Sequence, residues 1–313
     1  MSVVRTVHVK VPASTSNLGP AFDCLGMALG LYNELTLEMH EERGEPSIEV
    51  QGEGAETLPH SRDNLIARAA NSVIAGRLEN RLVFKAVNHI PLARGLGSSA
   101  AAAVAGLFAA NALFDQPVLT REQLLEYATA LEGHPDNVAP AILGGLVASI
   151  TRHKKVAPYP LKAHADLRAV VCIPQFELLT SQSRSVVPPT YLREEAVANV
   201  SRALLLGGAL ADGQWDRLAL AMEDSLHQPY RAHLVPGFKA VMAAALKAGA
   251  AGAALSGSGP TVLALASKVA DLKAIGAAMG KAFTDNGVES RNLTLGLDRR
   301  GVQVKVSPSG ARR

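Results

Sequence analysis

The chain has 313 residues, of which 48% are hydrophobic and 19% charged, a balance typical of a globular protein rather than a disordered one. The formal net charge is only +3, without the clustered lysines and arginines that nucleic-acid binding needs, and two distant cysteines, Cys24 and Cys172, argue against a disulfide framework or a zinc site. No apolar run approaches the roughly 20 residues of a membrane span and the N-terminus lacks an apolar signal core, so we expect a cytoplasmic protein with no membrane or nucleic-acid partner.

The first half of the chain mixes strands with helices. Hydrophobic residues alternate with polar ones around residues 7–11, 35–39 and 82–86, which predicts half-buried strands. Residues 64–78 have the spacing of a helix.

A loop rich in glycine and serine then opens an alanine-rich helix that ends near Leu113. Gly95 and Gly97 permit a tight turn and a close approach to a ligand, and Ser98 and Ser99 add hydroxyl donors. Free N–H groups and the positive end of the helix dipole suit an anion, and a serine can ligate magnesium. The loop lacks the lysine of a Walker A motif, so these residues alone fit a phosphate loop and a plain helix cap equally well.

The next helix begins at Thr120, which forms a capping-box pattern with Gln123, and it ends at Glu132 and Gly133. A carboxylate at a helix C-terminus is disfavoured by the dipole. Glu132 therefore indicates a compensating cation, unless it is simply an exposed residue that ends the helix.

After a strand at 146–150, a polar stretch with Pro158 and Pro160 predicts a boundary between domains 1–160 and 161–313. The second part alternates strands with helices, two or three of them after its first strand, which indicates an α+β sandwich of ferredoxin-like type. Its strands are expected at 169–173, 251–255, 261–266 and 293–297.

Three segments, taken together, resemble the motifs of the GHMP kinases. Residues 91–101 resemble the second motif, Pro-x-x-x-Gly-Leu-Gly-Ser-Ser-Ala-Ala; residues 12–23 resemble the N-terminal motif in its homoserine kinase form; and residues 255–261 resemble the C-terminal glycine motif. They occur in the expected order and span nearly the whole chain. The resemblance implies a two-domain GHMP kinase fold, α+β in class. Its N-terminal domain is ribosomal-protein-S5-domain-2-like and binds ATP, and its C-terminal domain is a ferredoxin-like α/β sandwich.

The same resemblance implies ATP and Mg²⁺ as cofactors and assigns their sites. Ser98 and Glu132 are the implied magnesium pair, with Ser99 as the alternative serine. Asn64 resembles residues that line the adenine pocket, although an Asp-Asn pair here would equally serve as a helix N-cap. The implied ATP contacts are Asn64, Pro91, Leu92, Ala93, Arg94, Gly95, Leu96, Gly97, Ser98, Ser99 and Ala100, and the C-terminal glycine loop comprises Ser256, Gly257, Ser258 and Gly259.

Further likeness to homoserine kinases implies L-homoserine as the second substrate. Its carboxylate suits a guanidinium group, and its ammonium group needs acceptors. The implied substrate contacts are Asn17, Asp23, His134, Asn137, Thr180, Arg184 and Arg231, with Asp23, His134 and Asn137 as the candidates for a catalytic role. Taken singly, each also fits a structural or surface role. Ser16, Ala21 and Cys24 replace the commoner Ala, Gly and Ser of this family, and residues 180–183, which include Thr180, also differ from the usual form before Arg184.

Two other functions compete with this interpretation. One is a related kinase that acts on another alcohol, such as mevalonate or shikimate, and the other is an inactive member that senses a nucleotide. The combination of Asn17, Asp23 and the loop after Glu132 favours homoserine, and the intact phosphate loop favours an active enzyme. Relatives often form dimers, so the resemblance also allows a homodimer.

Overall fold

The computed structural model describes residues 2–308, which form eleven strands and ten α-helices. The strands are β1 Val3–Ser16, β2 Leu25–Arg43, β3 Ser47–Gly52, β4 Asn80–Asn88, β5 Leu146–Arg152, β6 Lys155–Leu161, β7 Leu167–Pro174, β8 Gly252–Leu255, β9 Val262–Ser267, β10 Ser290–Gly296 and β11 Gln303–Pro308. The helices are α1 Leu65–Ile74, α2 Ser98–Asn111, α3 Arg121–Glu132, α4 Val138–Leu143, α5 Thr180–Ser185, α6 Arg193–Asp212, α7 Leu218–Ala221, α8 Gln228–Arg231, α9 Phe238–Lys247 and α10 Leu272–Asp285. Within these residues no helix is both long and apolar enough to cross a membrane.

The first sheet has seven strands, and its main path runs β11-β1-β2-β4-β3. Only β3 and β4 are parallel; the other paired strands are antiparallel. The start of β2 also pairs with β5, which forms a hairpin with β6. The long strand β1 ends at Ser16, so the N-terminal motif lies at the end of this strand, where the two halves of the chain meet.

The second sheet has four strands in the order β10-β7-β9-β8, all antiparallel. Strand β7 is buried on both faces: Ala169, Val171 and Ile173 join the larger apolar core, while Val170 and Cys172 join a second core beneath α9 and α10. A near-continuous hydrophobic run is the pattern expected of such a strand. This arrangement agrees with the expected ferredoxin-like sandwich.

Helices α1 and α2 pack unusually closely on the first sheet. A Cβ atom added to Gly106 of α2 would lie 2.3 Å from the carbonyl oxygen of Ile66 in α1, so the contact requires glycine. The alanines of α2 are buried on nearly all sides of the helix. This packing fixes the axis of α2, and with it the loop that precedes the helix.

The structure confirms the strands and helices expected from periodicity, with a few corrections. Helix α1 ends at Ile74 rather than Leu78, because Ala75 adopts a left-handed conformation. Five helices, α5 to α9, lie where two or three were expected; α7 and α8 have four residues each, too few to show a period. Strands β3, β6 and β11 and helix α4 were not expected.

The stretch with Pro158 and Pro160, expected to separate two domains, is strand β6 itself. It pairs only with β5, and an edge strand tolerates prolines because one side of it needs no partner. The last described strand, β11, returns to β1 in the first sheet. A division of the chain into 1–160 and 161–313 stays a prediction.

Candidate functional site

A cleft lies where the three motifs meet. It brings together nearly all of the residues that the sequence singled out, from both halves of the chain. Its lining comprises Ser16, Asn17, Asp23, Pro91, Ala93, Arg94, Gly95, Leu96, Gly97, Ser98, Ser99, Glu132, His134, Asp136, Asn137, Thr180, Arg184, Arg231, Gly257 and Ser258.

Two glycines allow the loop before α2 to touch the other motifs. Gly95 has φ +71°, and a Cβ there would lie 2.1 Å from the carbonyl oxygen of Ser256. Gly97 has φ +70°, and its Cβ would lie 2.2 Å from Ser14 Oγ and 3.2 Å from Asn137 Oδ1. Since Gly97 is the N-cap of the 14-residue helix α2, the free N–H groups of the helix start at this contact. The loop therefore offers N–H donors to an anion in the cleft.

The segment after β1 is held in an uncommon backbone conformation. Asn17, Leu18 and Asp23 all have positive φ angles, 70°, 47° and 59°. Asn17 Oδ1 accepts the N–H of Asp23 at 2.9 Å, and its Nδ2 donates to the carbonyl oxygen of Gly257 at 2.9 Å. The amide of Asn17 thus ties the N-terminal motif to the C-terminal glycine loop. Left-handed non-glycine residues of this kind concentrate at binding sites.

Asp23 and Arg184 form a bidentate ion pair across the cleft. Arg184 Nη1 donates to Asp23 Oδ2 at 2.9 Å, and Nη2 donates to Oδ1 at 2.7 Å. Both side chains remain about one-third exposed. The hydrogen bond to Asp23 raises the pKa of Arg184, although burial opposes it. The resemblance assigned Asp23 to the ammonium group of the substrate and Arg184 to its carboxylate. In the structure these two side chains pair directly with each other.

Arg231 is a buried cation that makes no ion pair with any described residue. Only 2% of the residue is exposed, and burial, followed by the charge of Arg184, lowers its pKa to about 10. Its Nε donates to the carbonyl oxygen of Ser183 at 3.0 Å and its Nη1 to that of Gly257 at 3.3 Å. The guanidinium carbon lies 5.1 Å from the centre of the Phe22 ring. The direct contacts of Arg231 are thus neutral acceptors and a π face, and the carboxylates of Asp23, Asp224 and Asp136 act on its charge only from a distance.

His227 holds Arg231 in this position. Its Nε2 lies 2.8 Å from the carbonyl oxygen of Gly19, which can only accept, so Nε2 carries the proton. Its Nδ1 is then an acceptor, and it receives Nη1 of Arg231 at 3.2 Å. Burial lowers the pKa of His227 and favours this neutral form. Helix α8 is anchored by buried Asp224, which accepts the N–H groups of residues 226–228.

Glu132, the last residue of α3, lies beside the phosphate loop. Its Oε1 accepts a hydrogen bond from Ser99 Oγ at 2.5 Å, whereas Ser98 Oγ donates to the carbonyl oxygen of Ile90 at 3.2 Å. Burial raises the pKa of Glu132, against the hydrogen bond from Ser99. The alternative serine of the sequence analysis, Ser99, is thus the one that contacts the glutamate, whereas Ser98 bonds to the segment that follows β4.

The loop after Glu132 carries a second buried acid. His134 Nδ1 lies 2.5 Å from Oδ1 of Asp136, which is 1% exposed. Burial lowers the pKa of His134, but the hydrogen bond and the charge of Asp136 outweigh it, so that the net change is upward. His134 therefore presents an imidazolium to the cleft over a wider pH range than a free histidine does.

Asn137 joins two buried serines of β1. Its Oδ1 accepts from Ser14 Oγ at 3.0 Å and its Nδ2 donates to Ser16 Oγ at 3.0 Å. The hydroxyl hydrogen of Ser16 is left free to donate into the cleft. The amide of Asn137 is thus held rigidly between the phosphate loop and the N-terminal motif.

Five of the sequence-assigned residues do not line the cleft. Asn64 caps α1: its Oδ1 accepts from the N–H of Ile66 at 3.0 Å and its Nδ2 donates to the carbonyl oxygen of Pro59 at 2.8 Å. This is the helix N-cap that the sequence analysis gave as the alternative role. Both polar atoms of the Asn64 amide are engaged in these hydrogen bonds, so little of its capacity to bind a purine remains. Ser256 is buried and donates to the carbonyl oxygen of Gly95 at 2.6 Å, which joins two loops. The others are Leu92, Ala100 and Gly259.

Sequence reasoning missed several residues that shape the site. Phe22, Asp136, Ser183 and His227 all stand within or next to recognised segments, and that proximity was the available signal. Ser183 is fully buried; its Oγ donates to the carbonyl oxygen of Ser258 at 2.7 Å, while its own carbonyl receives Arg231.

Comparisons with known proteins agree with this geometry. Residues 64–145 match the family model for the N-terminal domain of GHMP kinases, and residues 207–285 match that for the C-terminal domain. The chain is 48% identical to a homoserine kinase of Moorella thermoacetica, over 95% of this chain and 99% of the relative. It is 46% identical to a homoserine kinase of Carboxydothermus hydrogenoformans, over 97% and 98%.

Solved structures show the same likeness. A homoserine kinase from Cytophaga hutchinsonii superposes with a TM-score of 0.87 at 29% identity, covering 96% of this chain and 97% of that one. The L. major mevalonate kinase, solved in complex with R-mevalonate, has a TM-score of 0.69 at 18% identity, covering 92% of this chain and 95% of that one. The second likeness concerns the fold alone.

Proposed function

The chain belongs to the GHMP kinase family, and we propose that it is an ATP-dependent homoserine kinase that transfers the γ-phosphoryl group of ATP to the hydroxyl of L-homoserine. The product is O-phospho-L-homoserine, an intermediate of threonine biosynthesis. The names of the curated relatives and the near-complete coverage of both chains support this activity.

Arg231 is the observation that carries the substrate proposal. A buried guanidinium without an anionic partner is costly, and a bound carboxylate would compensate it. The α-carboxylate of homoserine supplies that charge. His227, Ser183 and Gly257 hold the guanidinium in place, so little side-chain entropy is lost when the substrate binds.

The pair of Asp23 and Arg184 supports recognition of the ammonium group as well. An amino acid carries both charges at neutral pH, so it can replace one internal ion pair by two external ones. Asp23 then accepts the ammonium group, and Arg184 joins Arg231 at the carboxylate. A ligand with only one of the two charges supplies a partner to only one side of this exchange, so it cannot replace the internal ion pair by two external ones.

The phosphate groups of ATP are assigned to the loop before α2. Its N–H groups and the dipole of α2 favour an anion at Gly97 and Ser98. Asn137 and Ser16 also line the cleft. They would contact the hydroxyl of the acceptor substrate from the side opposite the phosphates. In-line transfer needs this kind of positioning and charge stabilisation more than it needs a base.

The residues at the end of α3 fit a magnesium ion. The carboxylate of Glu132 and the hydroxyl of Ser99 are hard oxygen donors in direct contact, and burial raises the pKa of Glu132, a cost that a bound cation would offset. Mg²⁺ is usually held by one or two carboxylates together with phosphate oxygens and waters, so a single glutamate is sufficient. No cluster of three acidic, histidine or cysteine side chains suited to a metal occurs in residues 2–308. We assign Glu132 and Ser99 as its protein ligands; the ion would offset charge on the phosphates.

Within this proposal the described side chains have distinct roles. The two charges of the substrate are bound by Arg231, Arg184 and Asp23. Asn137 orients the hydroxyl of the substrate, and two serines hold the amide of Asn137 in place. His134, kept protonated by Asp136, stabilises negative charge on the transferring group. No residue is assigned as a general base.

A coupled assay of ADP release tests the function. Purified protein with MgATP is offered L-homoserine, mevalonate, shikimate or L-threonine. We expect turnover on homoserine far above that on the other three. Preference for another alcohol would refute the substrate, and no turnover on any alcohol, with ATP still bound, would favour a nucleotide sensor.

A further inference from the structure

The side chain of Ser16, at the end of β1, lines the cleft and still has a hydrogen to donate. Its Oγ accepts from Asn137 Nδ2 at 3.0 Å, and none of residues 2–308 accepts the hydrogen of Ser16 itself. Only 1% of the residue is exposed, so bulk water hardly reaches it. A buried hydroxyl that can still donate indicates an acceptor that arrives with the ligand.

The surrounding contacts fix which hydrogen bonds Ser16 can make. Ser14 Oγ donates to Asn137 Oδ1 at 3.0 Å, so the amide turns its Nδ2 group toward Ser16. The backbone of Ser16 pairs with Gly26 of β2, and its carbonyl oxygen accepts the N–H of Gly257 at 3.2 Å. A serine hydroxyl has one hydrogen and two lone pairs. Because Nδ2 occupies one lone pair, Ser16 can accept one more hydrogen bond and donate one at the same time.

The acidic side chains of the cleft are already engaged. Each of the three carboxylates that line it has a direct partner in the chain: Asp23 with Arg184, Asp136 with His134, and Glu132 with Ser99. In the proposed complex Asp23 turns to the ammonium group and Glu132 to the magnesium ion. None of these carboxylates is left to take the proton of the acceptor hydroxyl, so the proton has to end on the transferring phosphoryl group.

Direct passage of that proton to the phosphate has poor geometry. The acceptor oxygen, its hydrogen, a phosphate oxygen and the phosphorus would form a four-membered ring, in which the hydrogen bond is strongly bent. Hydrogen bonds weaken steeply below about 120°. A hydroxyl group placed between the two oxygens enlarges the ring to six members, so that both hydrogen bonds can approach linearity. Ser16 has the free lone pair and the free hydrogen that such a hydroxyl needs.

We propose that Ser16 is a catalytic residue that relays the proton of homoserine to the transferring phosphoryl group, an inference that rests on the proposed function. The O–H bond of homoserine breaks as its oxygen bonds to the γ-phosphorus, while the bond from that phosphorus to the bridging oxygen breaks and its electron pair leaves with ADP. Ser16 Oγ takes the homoserine proton and gives its own to a γ-phosphate oxygen, so the serine ends unchanged. The phosphate ester then releases the proton to water, since its second pKa is about 6.

Ser16→Ala removes the relay and keeps the fold, because alanine is the commoner residue of the family at this position. We expect the rate of phosphoryl transfer in a single turnover to fall about 100-fold, the lower end of the usual contribution of a positioned proton-transfer group. The KM values for homoserine and ATP change by less than about threefold, since the lost contact acts in the transition state and other residues hold the charges of both substrates.

The number of protons in motion distinguishes a relay from a purely structural role. In mixtures of H₂O and D₂O, the single-turnover rate of a step that moves two protons follows a curve against the deuterium fraction, whereas a step that moves one proton gives a straight line. We expect a curve for the wild type and a line for Ser16→Ala, because the missing oxygen leaves too little room for a water molecule. Ser14→Ala is the matched control: it loosens the same amide but keeps the Ser16 hydroxyl, so its curve remains.

Folding and ligand binding are checked by circular dichroism and by the affinity of each variant for MgATP. A straight line for the wild type, a wild-type rate of transfer in Ser16→Ala, or a curve that persists in Ser16→Ala would each overturn the relay and leave the homoserine kinase activity standing. A wild-type protein without any turnover of homoserine would instead refute the proposed function, and the relay with it.

Discussion

The charged side chains of the cleft are fixed by contacts within the chain. Arg231 lies against two backbone carbonyls and His227, and Asp23 and Arg184 hold each other. Fixed dipoles and charges need little reorganisation when charge develops during transfer, and of these contacts only the pair of Asp23 and Arg184 must open when the substrate binds. Each of these contacts makes a distinct prediction for substitution at a single residue.

Replacing Arg231 is expected to weaken homoserine binding much more than it lowers the stability of the protein. In Arg231→Met the KM for homoserine rises about 100-fold, because a charge-assisted contact of about 2–3 kcal/mol is lost. The KM for ATP stays near that of the wild type. The free energy of unfolding does not fall by a similar amount, since the desolvation cost of a buried charge without a direct ion pair is removed along with its hydrogen bonds. Steady-state kinetics and urea titration measure both; an unchanged KM for homoserine would contradict the assignment.

The two nitrogens of His227 can be tested separately. Asn places an oxygen where Nδ1 receives Arg231, whereas Gln keeps only the contact with the carbonyl of Gly19. We expect His227→Gln to raise the KM for homoserine about tenfold with little change in the KM for ATP, and His227→Asn to retain more of the wild-type KM. Equal losses in both variants, on both substrates, would indicate a purely structural role.

The raised pKa of Glu132 predicts that the affinity for Mg²⁺ depends on pH. The pKa of Glu132 lies above the ordinary 4.5 because the side chain is partly removed from water, and the metal needs the deprotonated form. Lowering the pH toward that raised value therefore raises the apparent Kd for Mg²⁺, as protons compete for the carboxylate. Glu132→Gln removes this pH dependence and most of the activity. A wild-type Mg²⁺ titration that shows the same Kd at pH 8 and at about pH 5 would contradict the role.

Some of these roles could be predicted from the sequence and others could not. The motifs predicted that Asp23, Arg184 and Glu132 meet in one cleft. They did not decide between Ser98 and Ser99, because neighbouring residues of a helix point about 100° apart and the rotation of α2 is set by its packing. The partners of Arg231 come from distant segments, so no local pattern predicts them.

At the scale of elements, three loops are tied to one another where β1, α2 and α4 begin or end. Gly95 contacts Ser256, Gly97 contacts Ser14, and Asn17 bonds to Gly257. Periodicity predicted most of the flanking elements because their hydrophobic faces are regular. It missed β3 and β6, which lie at edges of the sheet, and α4, which has only six residues.

The close contact at Gly97 can be isolated with a matched control. Gly97 and Gly287 have similar φ angles, 70° and 74°, but no atom lies within 4 Å of a Cβ added to Gly287. Alanine at Gly287 costs only the left-handed conformation, about 1 kcal/mol. The Cβ of an alanine at position 97 would also clash with Ser14 Oγ, so we expect Gly97→Ala to cause a larger loss of stability and a large drop in kcat. Thermal unfolding and kinetics compare the two; equal effects would mean that the loop does not need this contact.

At the scale of the whole molecule, the cleft belongs to both sheets. The first sheet supplies the N-terminal motif and, through α2 and α3, the phosphate loop and Glu132, whereas Arg184 and Arg231 come from helices that precede the second sheet's β8. Composition and motif order predicted this two-part plan. The return of β11 to the first sheet was not predicted, because its pairing partner β1 lies at the other end of the chain.

The central claim is that the cleft binds both charges of an amino-acid alcohol. The most direct measurement compares kcat/KM for L-homoserine with that for γ-hydroxybutyrate, which lacks the ammonium group, and for aminopropanol, which lacks the carboxylate. We predict that each analogue loses about 100-fold or more, since each lacks one charged contact, with Asp23 in the first case and with Arg231 in the second. Turnover of either analogue at the rate of homoserine would contradict the account.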